Sequence, residues 1–203
     1  MRRMVYQESA SAMPGLDLLA GLLIIVCVLG STYMLTQTID RDINIALKST
    51  VATVLITSGI MMRLLFVPGG LSVKPLDLNG LLVTVSGAAL GLLLIVLVMV
   101  ARTPMSVTPM EGRLFYANMA IAEEVFFNYF VFMWMASMYG PGVSALITGG
   151  VFSAYHMFVY AMNPSLLAFA FAARVVLCAV YWFTRNLSAP MIAHMIINIM
   201  VVG

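Results

Sequence analysis

Three short polar motifs lie within strongly apolar runs in the second half of the chain. Their residues are Glu123-Glu124 with Asn128, Phe152 with His156, and His194 with Asn198. These motifs contain both histidines of the protein. A charged side chain at the centre of a membrane helix costs roughly 2.5–3.5 kcal/mol on insertion scales. The motifs therefore predict one convergent polar site within a membrane.

The residue types in these motifs can hydrolyse an amide bond with an activated water molecule. A carboxylate beside an imidazole can act as the general base, and a second imidazole with a neighbouring amide can donate to the developing oxyanion. Imidazole and carboxylate are also zinc ligands. The sequence has no His-Glu-x-x-His motif, so zinc is possible but not indicated, and the glutamate mechanism requires no cofactor.

Helical spacing determines which of these side chains can face the same centre. The pairs Glu124 and Asn128, Phe152 and His156, and His194 and Asn198 are each four residues apart, so each pair shares a helix face. Glu123 and Glu124 are offset by about 100° of helix rotation. We therefore expect one glutamate to face the reaction site and the other to face a neighbouring helix.

The composition is that of an integral membrane protein. Of the 203 residues, 63% are hydrophobic and 9% are charged, whereas a soluble domain carries about 25% charged residues. The net charge of +2, without a basic cluster, argues against nucleic-acid binding. Cys27 and Cys178 fall in apolar runs, which predicts buried thiols and no disulfide framework. The predicted fold is all-α, a polytopic bundle of transmembrane helices.

The apolar runs predict about seven spans, with six and eight as the alternatives. A span needs about 20 apolar residues, and the candidate runs are 16–36, 45–67, 80–101, 109–139, 143–162, 166–183 and 188–203. The first run is predicted to be a retained helix and not a cleaved signal peptide, and Ser165 is the predicted N-cap of the sixth helix. We treat 1–203 as a single transmembrane domain in which 1–108 supplies scaffold helices and 109–203 carries the motifs.

The distribution of basic residues gives a weak orientation. Arg2, Arg3, Arg63, Lys74 and Arg185 would lie on the side of the N terminus, and fewer would lie opposite. Because cytoplasmic loops carry an excess of Lys and Arg, this predicts a multi-pass protein of the cell membrane with a cytoplasmic N terminus.

In order, helix placement and spacing, the three motifs resemble the CPBP family of intramembrane proteases. This family includes CAAX prenyl endopeptidases and bacteriocin-processing or immunity proteins of the Abi type. Its signature is Glu-Glu-x-x-x-Arg, then Phe-x-x-x-His, then His-x-x-x-Asn. The segment 184–190, which precedes His194, is also similar to a short turn of the family. The resemblance covers residues 111–198, and the first three predicted helices are compatible with it.

The resemblance implies a glutamate-dependent endopeptidase that hydrolyses a peptide bond of a membrane-associated protein or peptide. By analogy, Glu123 and His156 would activate the water, and His194 and Asn198 would stabilise the oxyanion. Glu124 would support them, with Phe152 packed beside the site. The implied partners are membrane lipids and a peptide or lipid-modified protein substrate.

The sequence departs from the family signature at one position. Asn128 stands where the motif has arginine, and Tyr129 follows it where a small residue is usual. An arginine there can orient a glutamate as an ion pair, whereas asparagine supplies no charge. Arg174 lies in the middle of a predicted span that has no acid of its own. We hypothesise that Arg174 pairs with Glu124 or Glu123.

Two other classes of function are open from the sequence. Asn128 favours a catalytically impaired CPBP-like scaffold, or an accessory subunit of a larger membrane complex. Buried glutamate and histidine could instead form a proton relay in a small transporter. Against the relay, the chain has no internal repeat and no pair of interrupted helices in matching positions.

Overall fold

The computed structural model describes residues 25–26, 45–66, 85–86, 89–91, 93 and 110–199, and in these ranges it gives no side-chain description for 45–50, 64–66 and 110–115. Within these ranges all regular elements are helical. They are α1 (Ile45–Phe66), α2 (Met110–Glu123), a π-helical segment (Glu124–Phe132), α3 (Met133–Tyr139), α4 (Pro141–Tyr155), α5 (Pro164–Thr184) and α6 (Ser188–Ile197). The predicted span 16–36 and most of 80–101 lie outside the described residues.

Two of these helices are long and apolar enough to cross a membrane, namely Tyr116–Tyr139 and Pro164–Thr184. The first lies within a continuous helical run that α2, the π-helical segment and α3 form together, as the sequence predicted for 109–139. The described part of the chain is thus a helical bundle with membrane-spanning character, and the number of seven spans stays a prediction.

The π-helical segment is the centre of the bundle. Every side chain from Glu124 to Phe132 is buried. A π-helix is rare and is frequently found at functional sites. Here it begins at the second glutamate of the first motif, so the backbone changes its winding at the predicted site.

Helix α1 packs directly on the π-helical segment because Gly59 has no side chain at the contact. A Cβ atom at Gly59 would lie 2.9 Å from the backbone oxygen of Val125 and 3.1 Å from Cα of Phe126. Arg63, one turn further along α1, is buried, and its Nη1 donates to the backbone oxygen of Tyr129 at 3.2 Å. The sequence had counted Arg63 only as a charge near a membrane surface.

Helix α4 is shorter than predicted. It ends at Tyr155 rather than at residue 162, and residues 156–162 form turns. The cap of α5 is Asn163 and not Ser165, since Asn163 Oδ1 accepts from the backbone N–H groups of Ser165 and Leu166 at 3.0 and 3.4 Å. Pro164 occupies the first turn of α5 and restricts Asn163 to an extended backbone, φ −65° and ψ 114°, which is incompatible with a helix that continues to this point.

Candidate active site

The motif residues come from four neighbouring elements. Glu123 is the last residue of α2, Glu124 begins the π-helical segment, His156 follows α4, and His194 lies in α6. All four are buried, but Glu124 is 0% exposed, while Glu123, His156 and His194 are 5%, 9% and 7% exposed. The cluster therefore has a sealed half around Glu124 and a less enclosed half around Glu123.

Glu124 is the centre of the sealed half and accepts three hydrogen bonds. Its Oε1 accepts from Arg174 Nη1 at 2.6 Å and pairs with His194 Nδ1 at 2.8 Å. Its Oε2 accepts from Asn128 Nδ2 at 2.5 Å. The predicted ion pair of Arg174 with one of the two glutamates is thus present, and the partner is Glu124.

Cys178 extends this hydrogen-bonded group by one step. Its thiol donates to Asn128 Oδ1 at 3.0 Å, which leaves the Nδ2 side of the amide directed at Glu124. Arg174 and Cys178 are four residues apart on α5 and therefore share one face of that helix. The sequence indicated only a buried thiol at Cys178, because the contact joins residues that are 50 positions apart.

Aromatic rings enclose the Arg174 guanidinium. Its Cζ lies 3.9 Å from the ring centroid of Phe152 and 5.2 Å from that of Phe127. A cation over an aromatic face is stabilised by the ring quadrupole, by about 2 kcal/mol or more when it is desolvated. Nε and Nη2 of Arg174 have no hydrogen-bond partner among the residues that the structure describes. Phe152 thus has a packing role between the arginine and the histidines.

Glu123 lies between the two imidazole rings. Its Oε1 is 3.7 Å from His156 Nε2, and its Oε2 is 3.5 Å from His194 Nε2. Both distances exceed the 2.7–3.2 Å of a direct N–H···O hydrogen bond. Both Glu123 and Glu124 therefore contact His194, one at each ring nitrogen, although the helical offset predicted that only one of them would face this centre.

The other ring nitrogens determine the tautomers. His156 Nδ1 is 3.0 Å from the backbone oxygen of Phe152, and His194 Nδ1 faces the Glu124 carboxylate. A carbonyl and a carboxylate can only accept, so Nδ1 carries the hydrogen in both rings. In the neutral imidazoles, Nε2 is then a hydrogen-bond acceptor that faces Glu123.

Two tyrosines that the sequence did not single out complete the surroundings of His156. Its ring stacks on Tyr160 with a centroid distance of 5.2 Å and an interplanar angle of 27°, and it meets the edge of Tyr155 at 5.1 Å. The spacing from His156 to Tyr160 is one helical turn, and this was the available signal. It was obscured because residues 156–162 looked like the end of an apolar helix.

Asn198 lies at the end of α6, and its Nδ2 donates to the backbone oxygen of Tyr116 at 3.1 Å. This contact joins α6 to α2. The sequence placed Asn198 beside His194 as an oxyanion donor, and the structure gives one of its N–H groups to this contact between helices. The Asn198 amide has a second N–H group, which this contact does not use.

Metal binding was left open by the sequence because carboxylates and imidazoles occur together. In the described part of the chain, no group of three or more His, Cys, Asp or Glu side chains is arranged to hold a metal ion. The Glu123 carboxylate oxygens lie 3.7 Å from His156 Nε2 and 3.5 Å from His194 Nε2.

Comparison with known proteins bears on the same region. Residues 106–200 match the family model for type II CAAX prenyl endopeptidase Rce1-like proteins. No curated protein and no solved structure matches the chain significantly. The matched region begins before α2 and includes the glutamates, both histidines, Arg174 and Asn198. For this part of the chain, the match confirms the resemblance to the CPBP family that the three motifs indicated.

Proposed function

We propose that this protein is an intramembrane endopeptidase that hydrolyses a peptide bond with a water molecule activated by Glu123 and His156. The observation that carries the proposal is the position of the Glu123 carboxylate between two Nε2 atoms, at 3.7 and 3.5 Å. Three acceptors that face one another repel unless a proton or a water molecule lies between them. A water that donates to Glu123 and His156 would satisfy two of these acceptors and would be held by its eventual general base.

Charge balance supports a mobile proton in this group. The described cluster has two carboxylates and one guanidinium, and the Glu124–Arg174 pair at 2.6 Å is neutral as a unit. Glu123 then carries an unbalanced negative charge unless a proton resides on Glu123, His156 or His194. Because a buried net charge is costly, one proton shared by these three groups is the favoured state.

The chemistry follows from these positions. Glu123 and His156 remove a proton from the water, and its oxygen forms a bond with the carbonyl carbon of the scissile amide. The resulting oxyanion accepts from a protonated His194 Nε2 and from the second N–H of Asn198. The tetrahedral intermediate collapses with cleavage of the C–N bond, and the proton taken from the water passes to the leaving nitrogen.

The Arg174 contact favours this function over a catalytically impaired scaffold. Asn128 removes the motif's charge, but Arg174 supplies a guanidinium to Glu124, and Asn128 still donates to Glu124. Glu124 can thus remain an ionised carboxylate that accepts a hydrogen bond from His194 Nδ1. The less enclosed half of the cluster, around Glu123, is the half that a substrate would have to reach.

A proton relay across the membrane has less support. A relay needs polar access from both sides, but Glu124, Asn128 and Arg174 are completely buried. The cluster is therefore closed on the side of α5, among the residues that the structure describes.

The substrate that we propose is a membrane-associated peptide or lipid-modified protein. The matched family is described as CAAX prenyl endopeptidase-like. Glu123 lies within the candidate span Tyr116–Tyr139, so a scissile bond would have to enter the bilayer to reach it. Seven spans, insertion in the cell membrane and a cytoplasmic N terminus belong to the same proposal.

The test is cleavage of membrane peptides by the full-length protein in proteoliposomes. Two substrate arms carry the same peptide with and without a prenylated cysteine. We expect turnover that is lost in Glu123→Gln and His156→Ala and unaffected by a chelator. Arg185→Gln is the control, because Arg185 stacks on Trp182 at 3.6 Å at the far end of α5. Turnover that survives Glu123→Gln, or that disappears with chelator and returns with zinc, would contradict the proposed mechanism.

A further inference from the structure

We propose that Tyr160, which lies in the turn 156–162, is a positioning residue for His156. This inference rests on the proposed function, since it concerns the imidazole that would activate the water. It adds a residue that lies outside all three sequence motifs.

His156 depends on ring contacts because it lies beyond the end of α4. Its φ and ψ are −87° and 0°, and the helix does not continue past it. Phe152 covers the imidazole at a centroid distance of 4.3 Å, and Tyr155 meets it edge-on at 5.1 Å. The Tyr160 ring lies more nearly parallel to the imidazole than these two rings, at 27°. Phe152 precedes His156 by one turn, so Tyr160 supplies the contact from the following turn.

The orientation of the ring matters because only one of its edges faces Glu123. Rotation about the Cβ–Cγ bond of histidine is broad and roughly two-fold. A half-turn would exchange Nε2 with Cε1 and Nδ1 with Cδ2, so it would place a C–H group at Glu123 and would lose the hydrogen bond to the Phe152 backbone oxygen at 3.0 Å. Stacking by Tyr160 restricts the ring plane, and the Phe152 carbonyl selects between the two flipped states. Together they keep Nε2 directed at Glu123.

The backbone of the turn is built to bring Tyr160 back over His156. The N–H of Tyr160 donates to the backbone oxygen of His156 at 2.9 Å, and that of Met162 donates to Met157 at 2.8 Å. Ala161 and Met162 both have positive φ, 47° and 58°. Non-glycine residues keep such a backbone only where surrounding contacts hold it, and these residues cluster at functional sites.

Tyr160 differs from its neighbours in where its side chain lies. Val159 is 62% exposed and Phe158 is 52% exposed, whereas Tyr160 packs against the hydrophobic core. Tyr160 thus points inward from the turn, onto the His156 ring, while residues 158 and 159 face outward.

The ring, and not the hydroxyl, is the group that this role requires. We therefore expect Tyr160→Phe to keep kcat within about threefold of the unmodified protein, and Tyr160→Leu to lower kcat at least tenfold with little change in KM. Tyr160→Trp should recover part of the loss, because it restores a stacking surface. Val159→Ala is the matched control from the same turn and should behave as the unmodified protein.

A second readout reports on the imidazole without cleavage. The chain has two histidines, so ¹⁵N-histidine NMR of the protein in detergent resolves both, with His156→Gln assigning one of them. We expect the Nδ1–H tautomer of His156 in the unmodified protein and in Tyr160→Phe, and exchange between tautomers or ring orientations in Tyr160→Leu. This measurement stays informative if Tyr160→Leu is too unstable for kinetics, because Tyr160→Met can replace it.

The outcomes separate this inference from the proposed function. Unchanged kcat and an unchanged His156 spectrum in Tyr160→Leu would overturn the positioning role while leaving the peptidase intact. Equal losses in Tyr160→Phe and Tyr160→Leu would also overturn it, since the hydroxyl would then be the important group. Failure of the proposed function would appear differently, as equal cleavage by the unmodified protein and by Glu123→Gln.

Discussion

The contact that decides between an active peptidase and an inactive relative is the pair of Arg174 with Glu124. Replacing Arg174 by Gln removes the charge and keeps a polar side chain of smaller volume. Glu124, which is completely buried, would then keep only His194 Nδ1 and Asn128 Nδ2 as partners. The carboxylate would have to remain charged without its cation or take up a proton.

The size of the effect can be worked out in two ways. Two unit charges about 4 Å apart interact by roughly 4 kcal/mol at an effective dielectric constant of 20. Breaking a buried ion pair by removal of one partner costs about 3–5 kcal/mol. For a domain of this size, 1 kcal/mol corresponds to about 2–4 °C in Tm, so we expect Arg174→Gln to lower Tm by roughly 6–20 °C. Protonation of Glu124 would reduce this loss, but it would also weaken its hold on His194 Nδ1 and so lower kcat.

The decisive variant combines Arg174→Gln with Asn128→Arg. It moves the guanidinium from α5 to the position four residues after Glu124, on the same helical run. The volume lost at residue 174 offsets part of the volume gained at 128. We expect the double variant to be more stable and more active than Arg174→Gln alone, while Asn128→Arg alone is destabilised by two adjacent buried guanidinium groups.

The assay is thermal unfolding in detergent together with peptide cleavage in proteoliposomes, for the four members of the double-mutant cycle. Arg185→Gln is the control, since it removes a charge from the end of α5 without touching Glu124. Additive effects of the two substitutions would refute the reasoning, because they would mean that positions 128 and 174 do not serve the same carboxylate. A Tm unchanged by Arg174→Gln would refute it as well.

Three further expectations address other contacts of the site. Glu123→Gln should lower kcat at least about 100-fold with little loss of Tm, whereas Glu124→Gln should lower both kcat and Tm. If Glu123→Gln lowered Tm and Glu124→Gln did not, the roles assigned to the two glutamates would have to be exchanged. Asn198→Ala should reduce kcat about 100–1,000-fold if its second N–H serves the oxyanion. A change confined to Tm would leave Asn198 with only its contact to Tyr116. Gly59→Leu should destabilise the protein by about 1–3 kcal/mol, since its Cβ would lie 2.9 Å from the Val125 backbone oxygen. Met61→Leu, at an exposed position on the same helix, is the control, and an equal loss in both would remove the packing argument.

The sequence identified most residues of the candidate site, because a polar residue within an apolar run is costly to bury without a partner. A glutamate, histidine or arginine in an apolar run needs a partner wherever the helix finally packs. Arg174 was assigned to the glutamates on this ground and because Asn128 replaces the arginine of the family motif. The same reasoning could not decide which of Glu123 and Glu124 pairs with Arg174, because it treated the two glutamates as neighbours on a regular α-helix. The π-helical winding from Glu124 onward changes that geometry.

Helix boundaries were predicted well where a chemical signal stood at the end of a helix. Gly140 ends the run that begins at Met110, and its φ of 75° is a conformation that favours glycine. The end of α4 carried no such signal, since the turn 156–162 is apolar and contains two non-glycine residues with positive φ. The true cap, Asn163, was passed over in favour of Ser165 because a serine and an asparagine in sequence look equally suitable.

By itself, the sequence determined that this is a membrane protein, where its long helices lie, and which ionisable residues must contact one another. Those properties follow from apolar content and from the cost of burying charge, which act residue by residue. Only the tertiary structure decided that Glu124 is the sealed partner of Arg174, that Glu123 lies between two imidazoles, and that Cys178 and Tyr160 complete the site. These contacts join residues up to 71 positions apart, as in the contact of Glu123 with His194. Their distances depend on how the helices pack, which no local pattern specifies.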